Sequence, residues 1–291
     1  MNHSTQPPET ASKRVLFSSP WIKKMPPRAF LVILLLVLTP LLIVLIIRSN
    51  SDQEDSHKDA FTNHSNYYTQ PPTYPPLTEA FESIRVGGNS YKVHEDLTDP
   101  KFAAETMDAL NKTAQQLITL LNSKYVNNQQ GLDSIKPEYR DIVRSGVVRL
   151  TKNFKTANME ENIPERSGGD TSYVIDKGDV FAMCLRDPKN DNLVDVSNNM
   201  NELKFVLIHE MAHLFTSTFG HDSLFWNNFK FMLEEASLAG IYTPTNYKKS
   251  NRPYCGIVIS YSPLYDLELK DYANRSADTK LIRDKFMAER N

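Results

Sequence analysis

From Ala29 to Ile47 the chain reads AFLVILLLVLTPLLIVLII, 19 residues without a charge. No other feature restricts the fold as much. As a helix this run spans roughly 28 Å, close to the ~30 Å hydrocarbon core of a bilayer. Pro40 would break a soluble helix, but transmembrane helices tolerate proline. A cleaved signal peptide is the alternative. Its apolar region is about 7 to 15 residues and ends in small residues at a cleavage site, whereas this run is longer and is followed by Arg48-Ser49-Asn50-Ser51. Lys13, Arg14, Lys23, Lys24 and Arg28 precede the span against the single acid Glu9, while Asp52, Glu54 and Asp55 follow Arg48. The positive-inside rule therefore keeps the N-terminus in the cytosol and sends the remainder across. The expectation is a single-pass type II signal-anchor. It has a cytosolic tail (1–28), a transmembrane helix (29–47) that is the chain's membrane contact, and a lumenal or extracellular C-terminal part.

Beyond Ile47 there are 28 basic and 34 acidic residues, a net charge of −6. Such a domain has no basic field for nucleic acid, and none is expected as a partner. The 10 glycines and 17 prolines show no three-residue period, and two cysteines cannot build a disulfide-dense scaffold or a four-cysteine zinc site. Asn63-His64-Ser65, Asn111-Lys112-Thr113 and Asn274-Arg275-Ser276 are glycosylation sequons compatible with the exoplasmic side.

Residues 48–80 lack a hydrophobic period and end near Gln70-Pro71-Pro72-Thr73-Tyr74-Pro75-Pro76, which reads as an extended stalk. A globular pattern follows over 81–266. Two short runs around Gly87-Gly88-Asn89 read as a hairpin. Asp99-Pro100 reads as an N-cap with proline at the first helical position. Ala103, Met107, Leu110, Ala114, Leu117 and Leu121 then recur at helical spacing, so the pattern predicts a helix over 100–124. A second helix is expected over 137–154, a second hairpin about Asp176-Lys177-Gly178, and two more helices over 199–217 and 223–239, with Gly240 at the C′ position. The tail 267–291 is charged and is expected to add little core. The fold class is α+β, in one domain.

Chemistry concentrates in Phe205-Val206-Leu207-Ile208-His209-Glu210-Met211-Ala212-His213-Leu214, an H-E-x-x-H on an apolar helix. Residues i and i+4 lie on one helix face, so His209 and His213 can aim imidazoles at one ion. Glu210 is about 100° round the helix, too displaced to be an equal third ligand, yet placed to take a proton from a water on the metal. With 7 histidines and 16 glutamates in 291 positions, chance supplies only about 0.01 such pentapeptides. Three polar groups on an apolar helix would otherwise each need a buried partner. A catalytic zinc needs a third protein ligand and an open position. His221, eight residues after His213 and past Gly220, is the leading candidate. Asp222 can then cap a helix whose apolar face carries Phe225, Phe229, Met232, Ala236 and Ala239. Glu235, on the flank of that face, is the rival third ligand, and Glu234 points away as a surface charge.

The run His209-Glu210-Met211-Ala212-His213 … Gly220-His221-Asp222-Ser223-Leu224-Phe225-Trp226 resembles the WLM metallopeptidases, relatives of the SprT-type proteases. The resemblance covers about 168–266 and is closest to a longer-loop, membrane-anchored set found in large DNA viruses and some protists. Gly169 to Tyr173 and Tyr254-Cys255-Gly256 belong to the same likeness. It implies a compact zincin-like metallopeptidase domain with one Zn2+ per chain. His209, His213 and His221 would be the metal ligands, Glu210 the general base, a polypeptide the substrate, and a virion or host membrane the location. The usual spacing between the second and third histidines is six, against eight here. The DNA-repair role of that family is not carried over, because the expected anchor and the charge of −6 both separate the domain from DNA.

Cys184 and Cys255, the two cysteines, bracket the candidate metal helices. A disulfide and a pair of buried thiols are both open readings. The strand around Val180 to Leu185 reads either as an edge strand that aligns substrate or as an ordinary core strand. Tyr242, Tyr247, Tyr254, Tyr261 and Tyr265 follow the site, and packing is the safer reading for each. The expected activity is hydrolysis of peptide bonds by a glutamate-activated, zinc-bound water. The rival is a catalytically inactive binding or structural protein on the same fold.

Overall fold

A computed structural model describes residues 81–164, 170–187 and 196–274. The expected tail 1–28, apolar span 29–47 and stalk 48–80 lie outside the described residues, as do Gly169 and the chain after 274. Among the described residues no helix is long and apolar enough to cross a membrane.

The described chain opens with the hairpin expected at Gly87-Gly88: β1 (Phe81–Val86) and β2 (Asn89–His94) pair antiparallel with Val86 opposite Asn89. Both glycines have positive φ, 59° and 89°, which a two-residue turn of this hand demands. Helix α1 (Pro100–Tyr125) buries Ala103, Met107, Leu110, Ala114, Leu117 and Leu121, the stripe predicted from spacing. Each leucine so buried contributes about 1.5–3 kcal/mol of transfer free energy. Asp99 adopts the left-handed conformation and makes no side-chain cap, so the expected N-cap bond is absent there. After α1 comes a short helix α2 (Gln129–Asp133) that the apolar pattern does not reveal. Asn128 caps it, its Oδ1 accepting from the backbone N–H of Gln130 and Gly131. The expected helix over 137–154 is a 3₁₀ turn (Pro137–Tyr139) running into α3 (Arg140–Asn153).

The main sheet is mixed. β3 (Met159–Asn162) lies parallel to both β2 and β5 (Val180–Cys184), and β4 (Tyr173–Ile175) pairs antiparallel with β5 at the edge. Thus β5 is an interior strand, and the edge beside it belongs to β4. The edge-strand reading of residues 180–185 is therefore corrected. β3 has the sequence Met-Glu-Glu-Asn and gives no hydrophobic alternation. It is central because Glu161 is buried against Arg186 (2.7 Å) and accepts the backbone N–H of His94 (2.9 Å). Charges matched this way can sit inside a sheet that composition alone would keep them out of.

Helix α4 (Val196–Phe215) packs on α1, α3, β4 and α5 (Ser223–Leu238). The C-terminus of α5 follows the expected pattern, with Gly240 at φ 68°, its N–H on the Ser237 carbonyl and the Ile241 N–H on that of Ala236. A second, two-stranded sheet, β6 (Arg252–Tyr254) and β7 (Ile257–Ile259), is turned by Cys255-Gly256. Cys255 is bridged to Cys184 of β5, which resolves the two readings of the cysteines in favour of a disulfide.

The packed body does not stop at residue 266. Leu269, Tyr272 and Ala273 are buried, and Ala273 bridges to Ile135. Lys230 on α5 is buried and donates to the carbonyls of Asp266 (2.9 Å) and Leu269 (3.0 Å). This strap covers a second side of α5, which is why the helix is buried continuously from Phe225 to Leu233. The boundary expected at 266/267 thus falls inside the domain.

Candidate metal centre

Helix α4 carries His209 and His213 one turn apart, and the chain then reverses through Gly220 to set His221 just before α5. Gly220 has φ 77°, a conformation that side chains rarely adopt. Asp222 caps α5 as expected, its Oδ1 accepting the Phe225 N–H at 2.8 Å. The result brings the three imidazoles together. The Nε2 atoms of His209 and His221 are 3.0 Å apart, and one ring nitrogen from each histidine lies within 4.8 Å of the others. Among the described residues this is the group of histidine, cysteine and carboxylate side chains that could hold a metal ion.

The rings rest on an aromatic wall supplied by α5. Phe225 stacks on His213 with centroids 4.4 Å apart and meets His209 and His221 edge-on. Phe229 stands perpendicular to His209, and Trp226 lies beside His221. Burial in this wall disfavours protonation. The His209 ring is held well below the usual histidine range, by desolvation first and then by His213 and His221. Desolvation and His221 lower His213 to about 3. Neutral imidazoles with free lone pairs are the form that binds a metal.

Glu210 follows His209 on α4 and is buried. Its carboxyl is pushed up to about 8, chiefly by burial and then by the charge of Asp170. A dication among the histidines would oppose that shift, since a nearby positive charge favours the carboxylate. Tyr254 stands near enough for Glu210 to raise its pKa, although burial is the larger cause. Its hydroxyl is engaged by the Cys184 carbonyl (3.0 Å) and by Ser172 Oγ (2.7 Å). Of the other tyrosines, Tyr242 and Tyr247 pack on Phe205, and Tyr261 covers Trp226 while donating to Asp266.

Glu235 is not with the histidines. It is buried, and its Oε2 lies 2.7 Å from Lys124 Nζ on α1. That pairing sets Glu235 apart from the cluster, which His221 joins. Sequence reasoning missed Asp170, and also Lys177 and Arg149, whose cationic groups bind carbonyls at the end of α4. Lys177 sits in a turn that was expected, but nothing in a turn motif says where a lysine's ammonium goes.

No protein-family profile matches the chain, and no solved structure does. Relatives occur among viral proteins. An uncharacterized protein of Invertebrate iridescent virus 6, 136R, is 36% identical over 89 residues, 30% of this chain and 46% of that protein, so the chain spans under half of its length. An uncharacterized protein of Acanthamoeba polyphaga mimivirus, R325, is 25% identical over 185 residues, which cover 62% of this chain and 87% of the relative.

Proposed function

We propose that the chain is a zinc-dependent peptidase of zincin-like fold, anchored in a membrane by residues 29–47 with its catalytic domain on the exoplasmic side, and that it is of viral origin. The observation that carries this reading is the convergence of His209, His213 and His221 beside a buried Glu210. Three converging imidazoles suit zinc. Their ring nitrogens, 3.0 Å apart between His209 and His221 and all within 4.8 Å of one another, would hold such an ion among them. Three protein ligands leave a fourth position for water or substrate.

When bound, zinc would supply Lewis-acid chemistry, polarising a substrate carbonyl and making a water acidic near neutral pH. Glu210 would take the proton from the attacking water at its carboxylate and pass it to the leaving amine. The aromatic wall would hold the histidines in place and keep bulk water from their inner side. A site that only held metal for structure would have no use for a glutamate poised in this way.

The test is metal content of the full-length protein in detergent, wild type beside His221→Ala, with Glu210→Gln assayed on a mixed peptide library. The expected result is one zinc per wild-type chain, a weakened site in His221→Ala, and a Glu210→Gln variant that keeps zinc but loses hydrolysis by at least about 100-fold. A metal-free wild type would overturn the zinc reading. Hydrolysis undiminished in Glu210→Gln would overturn the mechanism, and a zinc-loaded chain that cleaves nothing would favour the inactive binding protein.

A further inference from the structure

His221 sits at the end of an unusual connection. Seven residues, 214–220, separate it from His213. The last of them, Ser217 to Gly220, are exposed, with Phe219 at 75%. A ligand carried on a free loop binds weakly in proportion to the time the loop spends elsewhere. Here the loop is not free. Lys177, from the turn between β4 and β5, donates from its ammonium to the carbonyls of His213 (2.9 Å), Thr216 (3.0 Å) and Thr218. An ammonium has three N–H donors, and each has a carbonyl. The same group lies 4.6 Å from the ring centroid of Phe219.

The turn that presents Lys177 is itself fixed. Asp176, Lys177 and Gly178 all have positive φ, the N–H groups of Gly178 and Asp179 bond to the Ile175 carbonyl, and Asn158 Nδ2 donates to the Gly178 carbonyl. A Cβ on Gly178 would lie 2.6 Å from the Asn153 carbonyl oxygen, so the turn is seated directly on the end of α3. Arg149 of α3 holds the Phe215 carbonyl at 2.8 and 3.0 Å, and Asn228 Nδ2 holds Thr216 Oγ1 at 2.9 Å. Lys177 is the one of these contacts that reaches past Thr216 into the exposed half of the loop.

We propose that Lys177 is a positioning residue for the metal centre: by clamping the carbonyls of His213, Thr216 and Thr218 it orders the loop that delivers His221 to the ion. This rests on the zinc reading above. The alternative is that Lys177 merely caps the C-terminus of α4 and so stabilises the fold. The two differ in sign and in context. The Lys177 ammonium lies 2.9 Å from the His213 carbonyl, so on charge alone its removal would tighten binding of a dication. A positioning role makes removal weaken binding, and only when His221 is there to be positioned.

The experiment is a double-mutant cycle on the full-length protein in detergent, with zinc affinity read by competition against a chelating dye. Lys177→Met is expected to lower zinc affinity by about 10–100-fold in the wild-type background, the range for residues that orient metal ligands. In the His221→Ala background it should change the residual affinity by less than about threefold. Equal losses in both backgrounds would show a stability effect only, and an unchanged or tighter site in the wild-type background would likewise overturn the proposal. Should Lys177→Met fail to fold, Lys177→Gln, which keeps two N–H donors, goes through the same cycle with a smaller loss expected. A wild type that binds no zinc would instead sink the metal reading itself, so the two failures are distinct.

Discussion

At the residue scale the decisive contrast is between two polar side chains that sequence alone could rank, His221 ahead of Glu235, without locating the partner of the second. His221 and Glu235 were both placed to complete the site, one in a loop and one on a helix flank. The structure gives Glu235 to Lys124 of α1, a partner 111 positions away whose position no local pattern encodes. Glu235→Gln should therefore leave zinc stoichiometry unchanged. It should cost about 1–3 kcal/mol of stability, the scale for disturbing a buried charge-assisted hydrogen bond whose other partner is partly exposed, as measured by chemical denaturation. Loss of zinc in that variant would return Glu235 to the ligand set. His209, His213 and Glu210 of α4 predict the pH profile of the metal-free protein. His209 and His213 have folded pKa values below the unfolded value of about 6.5, so below that pH the unfolded chain binds protons that the folded one refuses. Glu210 works the other way: raised to about 8, it holds a proton in the folded state that the unfolded chain has already lost above about 4.5. Between roughly pH 4.5 and 6.5 two histidines outweigh one glutamate and stability rises with pH. Between 6.5 and 8 Glu210 acts alone and stability falls, each limb by up to about 1.4 kcal/mol per pH unit per net proton. Melting of metal-free protein should peak near pH 6.5, and Glu210→Gln should erase the alkaline limb while keeping the acid one.

At the element scale, legibility followed whether an element advertises a period. The stripe of α1 and the cap-to-Gly240 span of α5 could be read because each buries an apolar face and carries its own stop signal. β3 could not, because its buried positions include Glu161 and Asn162, whose partners Arg186, Asp170 and Thr171 come from elsewhere in the chain. The strap 260–273 could not either, since its charges read as solvated while Lys230 was already waiting under it. Helix-to-helix distance was equally invisible. Gly146 of α3 faces Phe215 at the end of α4, and a Cβ there would come within 2.2 Å of the ring. In an open helical site alanine would gain about 1 kcal/mol over glycine. Here Gly146→Ala should instead lose about 1–3 kcal/mol, the scale of overpacking a filled core. Because Phe215 closes the helix that bears both His209 and His213, zinc affinity should drop with it. A variant as stable as wild type in urea would mean that α3 and α4 separate more freely than this packing implies.

At the scale of the whole molecule, the proposed topology is testable through three sequons whose surroundings differ. The Cys184–Cys255 bridge supports an oxidising side for the domain, since such bonds persist in exoplasmic compartments and seldom in cytosol. Position in the sequence treated Asn63, Asn111 and Asn274 as equivalent acceptors, but folding does not. Asn111 is buried in α1, where its Nδ2 donates to the Tyr91 hydroxyl and its Oδ1 accepts from Thr156. A glycan there would have to break both bonds and open the packing of α1 on β2. Asn274 is exposed at the end of the strap, and Asn63 belongs to the expected stalk. Expressed in cells with a secretory pathway, the protein should carry glycans at Asn63 and Asn274 and none at Asn111, read by mass spectrometry of each site after deglycosylation in heavy-oxygen water. In sealed microsomes, residues 81–274 should resist added protease until detergent is supplied, while the segment before residue 29 is digested. Digestion of 81–274 in intact vesicles, with all three asparagines bare, would reverse the orientation. The domain would then face the reducing side, where neither the disulfide nor an exoplasmic substrate could be maintained.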